Sequence, residues 1–125
     1  MVERRIGDGR RIAELLASEV DGREDGPLSR LSLADADPEV EPTTEGALAY
    51  RIEREGEPFA AVFVQPDRVR IEFQSAPDRA AEAALEAELR VRPKAVEPPK
   101  TLVFVENGAA VKRATDVLES VAHTR

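Results

Sequence analysis

Cysteine is absent from the 125 residues, which excludes disulfides, thiolate nucleophiles and cysteine-ligated metals. Histidine occurs once, at His123 near the end of the chain, so any metal site would have to be built from carboxylates, and the most common general base is missing. No apolar run approaches the ~20 residues that cross a bilayer. Residues 1–5 are not followed by an apolar stretch of signal-peptide length, so the chain reads as cytoplasmic, with no membrane contact. Aromatics are few: Tyr50, Phe59, Phe63, Phe73 and Phe104, all from residue 50 onward, which places the well-packed core in that part of the chain. Lysine is scarce. Lys94, Lys100 and Lys112 are the only lysines among 18 basic residues, set against 25 acidic ones and a net charge of -7.

That imbalance has a physical use. A carboxylate holds water tightly, and arginine keeps its charge while pairing bidentately, whereas lysine adds a long apolar stem. A surface rich in acid and poor in lysine stays hydrated in molar salt, where a Debye length of about 3 Å screens the repulsion among carboxylates. The chain therefore reads as halophilic.

The periodicity describes one α+β domain over residues 1–125: a mainly antiparallel sheet of four to six strands, an N-terminal helix, and two further helices packed on one face. Residues 1–20 hold the first helix, regular from about residue 9, with Asp8 as cap and Ile12, Leu15, Leu16 and Val20 as its apolar stripe. Residues 21–46 form an acidic loop region interrupted by Gly22, Gly26, Pro27, Pro38 and Pro42, in which Leu28, Leu31 and Leu33 support a short edge strand. Residues 47–122 form the main core. A three-strand meander there alternates Leu48, Tyr50 and Ile52, runs apolar on both faces over 59–64, and alternates Val69, Ile71 and Phe73. An alanine-rich helix follows, capped by Ser75, with Ala81, Ala84, Leu85 and Leu89 expected on its buried face. Extended segments at 89–94 and 101–105 then lead through Asn107-Gly108 into a final helix with Ala110, Ala114, Val117, Leu118 and Val121 inside.

Few motifs carry chemistry. Gly7-Asp8-Gly9 fails as a dinucleotide fingerprint because no strand precedes it and Ile12 replaces the third glycine. Asn107 reads as a helix cap, and Glu106 beside it disfavours a bound phosphate. The acidic run Asp35, Asp37, Glu39 and Glu41 lacks the spacing and central glycine of a calcium loop. Ser18, Ser29, Ser32, Ser75 and Ser120 have neither a nucleophile-elbow setting nor a base. No catalytic residue, metal ligand or cofactor is assigned, and a carboxylate-based enzyme is the less favoured reading.

One region departs from the general acidity. Arg68 and Arg70 share a strand face by period two, and Arg90, Arg92 and Lys94 share another if 89–94 is extended. These five are the candidate ligand-binding residues, for a compact anion, nucleic acid or an acidic protein surface. The competing reading pairs them with Glu53, Glu72 or helix carboxylates, as ordinary surface ion pairs. Nucleic acid is disfavoured as a partner. Neutralising ~4 phosphates gives a salt slope near -3.6, about 4,000-fold in affinity for a tenfold rise in salt, and no exposed stacking platform is legible.

The acidic, arginine-over-lysine style, with Ile12-Ala13-Glu14-Leu15-Leu16-Ala17-Ser18 near the start and Arg92-Pro93-Lys94 ahead of Thr101-Leu102-Val103-Phe104-Val105-Glu106, resembles small haloarchaeal proteins grouped as domains of unknown function. The resemblance implies no activity and transfers no site residue. The meander followed by a helix also resembles double-stranded-RNA-binding topology, but the helix start at 75–79 carries Asp78 where that family has lysines. A non-catalytic protein-interaction or oligomerisation module is the function expected, its partner an unidentified protein or a second copy of the chain.

Overall fold

Asp8 starts the first helix as its position suggests: its carboxylate accepts the Arg10 amide at 2.9 Å, satisfying one of the free donors of the first turn. In the computed structural model of the chain, which describes residues 8–22 and 26–123, this helix α1 spans Gly9–Asp21 and buries Ile12, Leu16 and Val20. The first seven residues of the expected 1–20 helical region lie outside the described residues. A single 3-10 turn at Pro27–Arg30 leads into β1 (Leu31–Ala34), the short edge strand expected within the acidic region. Residues 37–40 of that region are tied down: the Asp37 amide donates to the Ala49 carbonyl at 2.8 Å, its carboxylate accepts the Glu39 amide at 3.0 Å, and Val40 is buried.

The meander forms as β2 (Ala47–Arg54), β3 (Glu57–Gln65) and β4 (Arg68–Phe73). Glu55 and Gly56 both take positive φ, 51° and 87°, the geometry of a tight hairpin turn. After α2 (Pro77–Glu86) come β5 (Arg90–Lys94), β6 (Lys100–Val105) and, past a 3-10 turn, α3 (Val111–His123). Asn107 caps this last segment by accepting the Ala110 amide at 3.0 Å. The six strands lie in the order β1-β2-β3-β4-β6-β5, every neighbouring pair antiparallel. The fold is α+β, with a six-strand sheet at the upper end of the expected four to six.

Helix α1 packs on β1, β3 and β4, and α2 packs on β5 and β6. Because α3 touches both α1 and α2, all three helices lie on one side of the sheet. The layer between helices and sheet is built from fully buried Val62, Val64, Val69, Ile71, Phe73, Val103 and Val105, with Ile12, Leu16 and Leu118 facing them. Tyr50 joins this layer, its hydroxyl donating to the Ala13 carbonyl at 2.8 Å, and burial pushes its ionisation well above the usual tyrosine range.

Three local expectations change. The strand alternation expected of Leu48, Tyr50 and Ile52 is broken by a register shift between Leu48 and Tyr50, so Ala49 is buried while Leu48 is only half-buried. Ser75 does not cap α2. Ala76, in the left-handed region at φ 47°, occupies the cap position with no side-chain bond, and Pro77 supplies the preset φ of the first turn. The helix also faces the core with Ala80, Ala83 and Ala84, leaving Leu85 65% exposed instead of buried. Alanine at nearly every turn allows several apolar stripes, and packing against α3 selected a different one.

Candidate functional site

Period two in β4 sends Val69, Ile71 and Phe73 to the helices, and therefore Arg68, Arg70 and Glu72 to the other side, where no helix packs. Register carries this split across the sheet. Phe63, Arg70, Phe104 and Arg90 lie in one row across β3, β4, β6 and β5, and Ala61, Glu72, Leu102 and Arg92 lie in the next. Lys94 and Lys100 pair at the end of the β5–β6 hairpin. All five candidate residues, Arg68, Arg70, Arg90, Arg92 and Lys94, thus share one open face. The two basic strands are not neighbours, because β6 is inserted between β4 and β5.

The inserted strand brings residues that the sequence reading did not include. Phe104 is 6% exposed and Leu102 8%, although no helix covers them. Basic side chains cover the rings of this face. The Arg68 guanidinium lies 4.3 Å from the Phe104 ring centre and that of Arg70 lies 4.6 Å from Phe63, flat cations shielding apolar rings from water. The β5–β6 register puts Phe104 on the same side as Arg90, and the β4–β6 pairing places it under Arg68.

Two carboxylates pair with four of the five candidate residues. Glu72, whose side chain is 6% exposed, receives the Arg70 Nε at 3.0 Å, the Lys94 Nζ at 3.6 Å and, on its other oxygen, the Lys100 Nζ at 3.9 Å. Glu106 lies 3.6 Å from both the Arg68 guanidinium and the Arg90 Nε. Arg92 is exposed and has no ion-pair partner among the described residues. The internal pairs thus use Glu72 as foreseen, and Glu106 in place of Glu53. Each carboxylate is shared by more cations than it can neutralise, so the face stays positive on a chain of net charge -7.

The members of the face differ in what they can give a ligand. Arg70 is committed, since beyond Glu72 it donates to the Glu45 carbonyl at 2.9 Å. Arg92, Arg90 and Lys94 are the groups that an incoming anion meets: Arg92 has no ion-pair partner among the described residues, and the other two are exposed enough to turn from carboxylates that lie 3.6 Å away. The face is flat. A hollow of about 550 Å³ at its β3–β4 end is lined by Thr44, Gln65, Asp67, Arg68 and Glu106, but no nucleophile stands with a base there.

A family model matches residues 1–125, the whole chain. The chain belongs to the DUF7993 family. That family is described as one of unknown function, so membership brings no activity with it. No curated protein and no solved structure shows a match. Function has to be read from the geometry of the DUF7993 sheet itself.

On the helix side, a second hollow of about 270 Å³ lies between α1 and the 36–40 loop, lined mainly by Ala13, Ala17, Leu33, Val40, Ala49 and Tyr50. It is apolar, and the Tyr50 hydroxyl beside it is already bonded to Ala13. Among the described residues no group of three or more histidine, aspartate or glutamate side chains is placed to hold a metal, and no helix is long and apolar enough to cross a membrane.

Proposed function

We propose that the chain is a non-catalytic binding module that holds an acidic protein partner on the open face of its sheet, in the salt-rich cytoplasm of a halophile. The observation that carries this reading is the sharing of Glu72 and Glu106 among Arg68, Arg70, Arg90, Lys94 and Lys100, with no ion-pair partner for Arg92 among the described residues. A face that only needed to be soluble in an acidic chain would carry acids as the rest of the surface does. Bidentate arginine contacts to carboxylates lose less to salt than diffuse attraction, which suits such a face to molar KCl. A nucleic acid is the weaker fit, because the rings of Phe63 and Phe104 lie beneath arginines and offer bases nothing to stack on.

Poly-L-glutamate in 0.5 M KCl is a direct probe of the face. Replacing Arg90 and Arg92 together with glutamine is expected to weaken its binding at least tenfold while the unfolding midpoint hardly moves, since both side chains are exposed. Wild-type protein that ignores poly-L-glutamate, or a double variant that binds it as well as wild type, would remove the reading.

The solvent half of the proposal has its own test. Salt screens the repulsion of the -7 chain and strengthens burial of a core made largely of Val, Ile, Leu and Ala. The thermal unfolding midpoint should climb steadily from 0.1 M to 3 M KCl. A flat or falling curve would show that the acidic surface serves some purpose other than life in salt.

A further inference from the structure

β5 is the last strand of the sheet and pairs on one side only, with β6. Its open-face side chains, Arg90, Arg92 and Lys94, stand at every second residue, so their Cα atoms are about 6.8 Å apart in a line. A strand laid beside β5 repeats that spacing on the same face, with opposed Cβ atoms about 5 Å apart, which is within ion-pair reach for long side chains. The other face of such a strand meets apolar surface. Val91, of opposite parity, is half-buried and paired with Val103. Above it lies α2, whose Leu85 is 65% exposed. Arg79 bonds Ser120 and so marks the α3 side of α2. At 100° per residue, Leu85 falls on the opposite flank of the sheet-facing Ala80–Ala84 line, towards the free edge of β5.

We infer that the partner is an extended acidic polypeptide segment that lies along the outer edge of β5, with acidic and apolar residues in alternation. The inference rests on the proposed acidic partner and adds its shape and pattern. The acids meet Arg90, Arg92 and Lys94 on the open face, and the apolar residues meet Leu85 and Val91 on the helix side. Pro93 gives the edge no N–H at its own position, so main-chain pairing alone is a poor source of affinity and side chains choose the segment. This also protects the edge from indiscriminate strand addition. Lys94 can turn from Glu72 to the ligand because their pair is long, at 3.6 Å, and the lysine is 42% exposed.

Two fluorescein-labelled isomeric peptides separate the possibilities, one alternating Asp and Val over eight residues, the other with the same residues in blocks of two. Fluorescence anisotropy in 0.5 M KCl is expected to show the alternating peptide bound at least fivefold tighter. Arg92→Gln should remove that preference, and Leu85→Ser should reduce it without abolishing binding. Equal affinity for the two isomers, alongside binding of poly-L-glutamate, would overturn the extended register and leave the acidic partner standing. Failure of wild-type protein to bind either peptide or poly-L-glutamate would overturn both. An oligo-dT of matching charge that binds tighter than the alternating peptide would replace the polypeptide with a nucleic acid. Light scattering that shows a dimer dissolved by Arg92→Gln would give the edge to a second copy of the chain instead.

Discussion

Glu72→Gln is expected to lower the stability of the fold and raise its affinity for acidic ligands at once. The carboxylate is the common anion for Arg70, Lys94 and Lys100, and its side chain is only 6% exposed. Breaking a buried ion pair from one side costs about 3–5 kcal/mol, because the remaining charge keeps its desolvation penalty. Lys94 and Lys100 keep partial solvent access, at 42% and 27%, so the low end of that range applies here, about 3 kcal/mol. For a chain of this size that is a fall of roughly 10 °C in the unfolding midpoint. The same change removes the internal competitor for the lysines, and binding of poly-L-glutamate should tighten several-fold. A scan and a titration on one sample check both halves. A variant that is destabilised but binds no better would mean that Lys94 and Lys100 do not reach the ligand.

Gly9→Ala should be at least as damaging, by a different route. A Cβ at this position would stand 1.9 Å from the Gln65 carbonyl oxygen and 2.8 Å from that of Arg68, both backbone atoms that no rotamer change can move. The Gly9 amide donates to the Pro66 carbonyl at 3.1 Å, so the β3–β4 turn and the start of α1 are in direct backbone contact. Forcing a methyl group between them must lift α1 from the sheet, and with it Ile12, Leu16 and Val20. Overpacking costs about 1–3 kcal/mol, and two backbone oxygens in the way put this position at the top of that range. Chemical denaturation against Gly56→Ala gives the comparison. Gly56 at φ 87° has nothing within 4 Å of the added carbon and should lose only the left-handed backbone penalty, about 1 kcal/mol. Equal losses at the two positions would show that α1 does not depend on this close approach.

Much of the fold was legible because local chemistry and burial agree along most of the chain. Ile12, Leu16 and Val20 repeat at helical spacing and are buried, and Val69, Ile71 and Phe73 alternate and are buried. The failures came where local signals were degenerate. Ala81 and Leu85 made as good a stripe with Ala84 as Ala80 and Ala83 do, and only packing against α3 and the sheet distinguished them. Ser75 looked like a cap, but the chain entered the helix through Ala76 in a conformation that no propensity favours.

The candidate face divides the same way. By itself the sequence determined that Arg68 and Arg70 share a side, that Arg90, Arg92 and Lys94 share a side, and that the surrounding surface is acidic, because strand parity and charge are local properties. Tertiary structure decided that both sets occupy one open face with β6 between them. It placed Arg68 over Phe104, and it made Glu72 and Glu106, not Glu53, the carboxylates that hold the face. It also left β5 and Leu85 at the free edge. The reason is that residues far apart in the chain meet only through strand order, and strand order follows from how three helices cover one side of a sheet, which no single segment encodes.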